Sequence, residues 1–279
     1  MRTRILNKMT ANEVEKYLAD GGNTIFVAVG VVEMHGTLPL DVETIIPEAF
    51  AVTMAEKADG LALINLPYFF PGGTIVSPGT VHVSVRESID YLMMLSRSLV
   101  AQGFRKIFFV SAHGPADLYV DAMCRDFFQE TKIHVCHLHP SMYGVDRSKP
   151  FDFKNMPKSY AEYGAYKIMG QMEVLPIDPD APDAPQWGEE VSPIQQELSN
   201  ALRPFGGKTS IYYTSSKQHG GGRPFHSEEE RLEICTRGEK EIRDLVDKMD
   251  LERLKNAVDA YHAHVQEIIA KNPRLAGQY

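Results

Sequence analysis

No stretch of this chain approaches the eighteen or so consecutive apolar residues that a membrane-spanning helix needs. The N-terminal segment MRTRILNKMTANEVEKYL carries no long apolar core either. Its Thr10 and Glu13 form a capping-box pattern, so it reads as a helix start rather than a signal peptide. Basic residues are scarce: 29 Lys and Arg stand against 37 Asp and Glu, a net charge of −8. That balance argues against a nucleic-acid groove or an anionic-membrane surface, either of which needs clustered positive charge. Cysteine is limited to Cys124, Cys136 and Cys235, an odd number without CxxC spacing, so neither a disulfide framework nor a thiolate zinc knuckle is expected. A soluble cytoplasmic protein with a small-molecule substrate, no nucleic-acid partner and no membrane partner is the expectation.

What is present is a chain of 279 residues, enough for one α/β domain spanning 1–279 with a core that needs no staples. Strand-like apolar runs recur at TIFVAVGVV, LALINLPYF, KIFFVSA and IHVCHLH. Between them lie helix-period stretches at about 43–57, 85–102 and 116–129. Alternation of this kind predicts right-handed crossovers and a three-layer α/β/α sandwich around a mostly parallel sheet. Only four or five such units are present, too few for a TIM barrel. The segment 178–193, rich in Pro and Asp, predicts a surface loop, and the Gly-rich SSKQHGGGRPFHS a second irregular stretch. Helical periodicity resumes over 228–249 and 251–270. In the last helix Leu254, Val258, Tyr261, Val265, Ile268 and Ile269 share a stripe for core or subunit packing.

The chemistry gathers where strands end. In GVVEMHGTLPLDVE, Glu33 and His35 follow a buried-type strand, and residues i and i+2 of an extended segment point the same way. KIFFVSAHGPAD repeats the pattern and delivers His113. In open parallel sheets such carboxyl ends converge on one ligand site. With Glu43 at the next helix start there are two carboxylates and two imidazoles, a mixed set suited to zinc, manganese or a similar divalent ion. The competing reading makes His35 and His113 turn residues satisfied by backbone. His137 and His139 share a strand face, and His139 either approaches the cleft edge or lies at the surface. His219, in the Gly-rich loop, either closes over the site or is an exposed loop residue.

VGVVEMHGTLPLDVETIIPEAFA resembles the creatininase family signature G-x-x-E-x-H-G-x-H-L-P-x-x-x-D-T followed by a helix. PGT at 78–80, GFRKIFFVSAHG and TRGEKEI near Thr236 resemble further family blocks, in order over most of the chain. The resemblance implies the family's α/β sandwich, a metal-dependent hydrolase with one or two divalent ions per subunit, Zn or Mn, and a homo-oligomer, often a hexamer. Carried over by position, Glu33, His35 and His113 match metal ligands and Glu43 matches a bridging Asp, with Asp41 as its rival. The departures matter too. The family's second His after H-G is missing, and Pro115 stands where creatininase has a ligating Glu, a gap that Asp117 or Glu162 could fill; Asp117 is otherwise a helix-end charge opposing the dipole. The family's catalytic His falls within SYAEYGAYKIM, which puts Glu162 or Tyr160 in the acid/base position. Trp187, the only Trp, makes creatininase itself an unexpected identity. Within the family the motifs look most like the branch that opens the diketo-inositol 3-dehydro-scyllo-inosose by carbon–carbon hydrolysis in inositol breakdown. The alternatives are an amidohydrolase for a small cyclic or formyl amide, which requires an acid such as His219 or His139, and a metal-free binding or assembly subunit.

Overall fold

A computed structural model describes residues 1–144, 159–182, 189–205, 207, 209–215, 217–222 and 224–275. Four strands, β1 (Thr24–Val29), β2 (Leu61–Leu63), β3 (Lys106–Ser111) and β4 (Val135–Leu138), pair in parallel in the order β2-β1-β3-β4. All six residues of β1 and all six of β3 are buried, the pattern of central parallel strands covered on both faces. Eight α-helices follow in chain order among the described residues: α1 (Ala11–Ala19), α2 (Val42–Lys57), α3 (Val85–Gln102), α4 (Val120–Thr131), α5 (Ala161–Ile168), α6 (Pro193–Leu202), α7 (Glu228–Lys248) and α8 (Leu251–Lys271).

The alternation of side chains along β1 divides the core. Phe26 and Ala28 face α2, α5 and α7 with Phe108 and Val110, whereas Ile25, Val27 and Val29 face α1, α3 and α4 with Ile107 and Phe109. The expected three layers are therefore present. Each fully buried Phe, Leu, Ile or Val in these layers contributes about 1.5–3 kcal/mol relative to leaving it exposed, which explains why no disulfide is needed; Cys124, Cys136 and Cys235 are all free.

Local signals decide where helices start. Thr10 and Ser84 each complete a capping box, with Glu13 and Glu87, at α1 and α3. Two expectations are corrected. LALINLPYF forms a strand only over Leu61–Leu63, because Asn65 adopts a left-handed φ of 67° and its N–H turns to Glu48 Oε1 at 2.7 Å. The helix expected from 116 starts at Val120, since Pro115 sits in a preceding 3-10 turn, Gly114–Leu118. The stretch around SYAEYGAYKIM is a helix, α5, packed against α7.

That α5–α7 seam is as close as backbones come. A Cβ on Gly164 would lie 2.0 Å from Gly238 C, and one on Gly238 would lie 1.9 Å from Tyr160 O, so no other residue fits either position. A second close approach shapes the strand end. Gly30 lies under α2, where a Cβ would meet Thr44 Cα at 2.5 Å, and Thr44 Oγ1 donates to Val31 O at 2.9 Å. The helix start carrying Glu43 is thereby held against the segment carrying Glu33 and His35. In the C-terminal stripe Val265 is buried and Leu254 and Val258 pack on the core, but Tyr261 is exposed and lies on His134. No helix among the described residues is long and apolar enough to cross a membrane.

Candidate metal centre

Just beyond β1 the chain turns through Glu33 to Gly36. Glu33 N–H bonds Leu40 O at 2.9 Å, and Met34 N–H bonds the Thr80 hydroxyl at 3.1 Å, so the PGT element braces the loop that carries the acidic and imidazole groups. One donor atom from each of Glu33, His35, Glu43 and His219 lies within 4.8 Å of the others. Elements far apart in sequence thus address one point, as the strand-end argument requires.

Glu33 is fully buried and accepts from Thr74 Oγ1 at one oxygen; its other oxygen lies 3.3 Å from both His113 Nδ1 and His219 Nε2. Burial alone would raise the Glu33 pKa, but His113, His219 and the adjoining Glu43 outweigh it and hold the carboxyl well below its usual range. His113 bonds Glu43 Oε2 through the same Nδ1. Burial opposes protonation of His113, yet Glu43 and Glu33 lift its pKa to about 10. His113 touches both carboxylates through Nδ1, while its Nε2 is buried without a hydrogen-bond partner. His113 is not one of the four converging groups: it touches both carboxylates and aims them, the role a neighbouring hydrogen-bonding group has around metal ligands.

The donor set fits a divalent ion on two observations. His35 Nδ1 is buried without a hydrogen-bond partner, an arrangement that costs about 1–3 kcal/mol for a neutral group unless another ligand satisfies it. The fully buried Glu33 and the partly buried Glu43 also sit side by side and call for compensating positive charge. Burial lowers the pKa of His35, which favours the neutral, ligating form.

His219 arrives by a device that residue patterns do not display. The Gly-rich loop lays Gly221 beside Gly36 as a parallel bridge. Gly220 (φ +83°) and Gly222 (φ +84°) take left-handed conformations, and a Cβ on Gly220 would meet His35 C at 2.5 Å. Only glycine permits that approach. The docked His219 ring stands edge-on to His35 at 5.0 Å and stacks on Tyr213 at 4.9 Å. The exposed-loop reading of His219 does not hold, since its side chain is three-quarters buried.

Other expected residues lie elsewhere. Asp41, the rival of Glu43, accepts a 2.7 Å hydrogen bond from Tyr166 and stands outside the four. Asp117 groups with Asp121 and His137 instead, 3.8 Å from His137 Nδ1, while Asp121 and Ser111 hold the two nitrogens of that ring at 2.7 Å each. Tyr160 lies under the Arg237 guanidinium, 4.4 Å from the ring centroid, and its N–H bonds Glu241. Glu162 has Glu241 and Tyr166 as its charged and polar neighbours. Glu162 stands outside the four-residue cluster. His139 is bonded to the Ser141 hydroxyl at 2.9 Å. Trp187 lies outside the described residues. Thr80 lies in the PGT block that resembles the family, but Thr74 and Tyr213 carry no such signal; GGT is a short turn-forming string that announces no chemistry.

Burial and the nearby Glu241 push Glu162 up to about 7. A carboxyl raised in the fold stabilises fully below its unfolded value, and that contribution fades as pH climbs toward the folded value. Glu162→Gln should therefore flatten the stability profile between about pH 4.5 and 7. At pH 8 it should be more stable than the parent, by up to about 3 kcal/mol in urea unfolding. A parallel pH dependence in both proteins would contradict this.

The family model for creatininase, creatinine amidohydrolase, matches residues 7–168. No curated protein sequence matches the chain. Among solved structures, a protein of Bacteroides fragilis NCTC 9343 assigned as a creatinine amidohydrolase aligns with a TM-score of 0.62 and 19% identity, over 95% of this chain and 98% of that one. A manganese form of creatininase aligns with a TM-score of 0.56 and 17% identity, over 87% and 98%. A creatininase point mutant of Zn-Zn type aligns with a TM-score of 0.55 and 16% identity, over 88% and 98%. At such identities these likenesses establish a shared fold.

Proposed function

The chain belongs to the creatininase family of metal-dependent amidohydrolases, and from that premise we propose that it hydrolyses a small cyclic amide. The observation that carries the reading is His219 beside the converged donors, with Nε2 3.3 Å from Glu33 Oε1. Amide hydrolysis needs a proton for the departing nitrogen, and an imidazole at the site supplies it. Glu33, His35 and Glu43 would hold the ion, zinc or manganese as in the related structures, and His113 would keep both carboxylates aimed. When bound, such an ion polarises a carbonyl and acidifies water.

The protein's own groups carry the rest of the reaction. Water adds to the ring carbonyl as His219 takes one of its protons, the carbon–nitrogen bond breaks, and His219 passes that proton to the departing nitrogen, leaving a carboxylic acid, which ionises, and an amine in one opened chain. Thr74 keeps one oxygen of Glu33 engaged.

The second reading is opening of 3-dehydro-scyllo-inosose, and one observation favours it: of the residues at the family's acid/base position, Tyr160 lies under the Arg237 guanidinium and Glu162 stands outside the four converging donors. An enolate leaving group stabilised by a neighbouring carbonyl needs no such acid. Stripped protein reloaded with Zn²⁺ or Mn²⁺ and offered five- and six-membered cyclic amides, creatinine among them, beside the diketo-inositol separates the two. Metal-dependent amide opening supports the first reading; turnover of the diketo-inositol alone replaces it with the second; no turnover of either class overturns both.

A further inference from the structure

We propose that Tyr213 is the positioning residue that sets the imidazole plane of His219, an inference that rests on the proton-donor reading of His219. The two rings stack at 4.9 Å between centroids with 29° between planes. Tyr213 is itself fixed from below. Its N–H bonds Gly73 O at 2.9 Å, its carbonyl accepts from Ser77 Oγ at 3.4 Å, and its ring lies so close to Gly73 that a Cβ there would come within 3.0 Å of it. The next residue, Thr74, is the one whose hydroxyl donates to Glu33. One short turn thus anchors both the buried carboxylate and the aromatic ring on which the loop histidine rests.

The physical need for such a device is plain. His219 is followed by Gly220, Gly221 and Gly222, and these glycines bring freedom along with closeness. The Gly220 and Gly221 contacts fix the backbone, but the imidazole can still rotate about its own side-chain bonds. Its other aromatic neighbour, His35, meets it edge-on and leaves its face uncovered. A flat ring against that face removes rotational freedom, and proton transfer is sensitive to such placement, with misplacements of about 1 Å costing as much as about a hundredfold in rate. Tyr213 acts through its ring, so its hydroxyl is dispensable for this role.

The test combines a spectroscopic readout on the metal-free protein with turnover of the loaded one. In proton–carbon NMR of the imidazole ring protons, His219 should show the upfield ring-current shift of a stacked proton in the parent and in Tyr213→Phe, and lose it in Tyr213→Ala. Across the cyclic-amide panel Tyr213→Ala should lower kcat about tenfold or more with KM within about twofold, and Tyr213→Phe should restore it. Zinc uptake, measured by calorimetry, should be equal in all of them. An unshifted His219 in the parent, or a Tyr213→Ala protein with undiminished kcat, overturns the inference while the proton-donor reading stands. Undiminished amide turnover in His219→Ala overturns that reading and the inference with it.

Discussion

His35→Ala should yield a folded protein that takes up Zn²⁺ or Mn²⁺ at least about a hundredfold more weakly and loses about a thousandfold in turnover at fixed metal. The reasoning starts from an asymmetry in the site. His35 Nδ1 has no hydrogen-bond partner, so removing the side chain breaks no bond of the metal-free protein. Glu33, by contrast, is engaged by Thr74, His113 and His219, and truncating it would remove a buried partner from all three. Removing one partner of a buried charged pair costs about 3–5 kcal/mol. Stability and metal affinity should therefore separate: Glu33→Ala lowers both, His35→Ala chiefly affinity. Urea unfolding of the metal-free variants beside calorimetric titration measures the two quantities. Unaltered affinity in His35→Ala would remove the histidine from the ligand set.

His219→Ala should behave differently. Its expected effect is a fall in kcat for amides of about a hundred- to ten-thousandfold, the range of a lost general acid, with metal affinity held within a few-fold. Amides whose nitrogen departs readily should suffer least, because they depend least on protonation. The variant thus distinguishes proton donor from ligand, since loss of a ligand would weaken ion binding as His35→Ala does. The four-way convergence leaves both roles geometrically open; partial exposure suits the donor. A large loss of affinity with little change in kcat at saturating metal would assign His219 to the ion instead.

Much of this arrangement is legible in the sequence because it follows from local rules. The doubly buried strands, the capping boxes at Thr10 and Ser84, and the i, i+2 pairing of Glu33 with His35 depend on residues close together in the chain. Convergence of His113 on the same edge follows from parallel pairing of β1 and β3. His219 is different. Its contact with Glu33 spans 186 residues and exists because Gly220 and Gly222 adopt left-handed conformations that let one loop lie on another. A run of glycines reads as freedom, and here it serves close approach.

The opposite failure occurs at Tyr160 and Glu162. Matching spacing placed them at an acid/base position, but Gly164 and Gly238 press α5 onto α7, Tyr160 lies under the Arg237 guanidinium, and Glu162 stands outside the four converging donors. Position along the chain was transferable, and side-chain direction was not. Asp117 shows the same limit, drawn to His137 on β4 instead of to the strand end before it. Asp41 and Glu43, two residues apart, were separable only once Tyr166 was seen to engage the former.

The central claim is that Glu33, His35 and Glu43 take a single divalent cation between them. The most direct measurement is anomalous diffraction from a crystal of the protein loaded with Zn²⁺ or Mn²⁺. The account predicts a peak bounded by those three side chains, with His113 still bridging the two carboxylates from outside. A loaded crystal in which the only ordered ion lies beside Asp117, Asp121 and His137, with His113 still clamped to Glu33 and Glu43 around no peak, would contradict it.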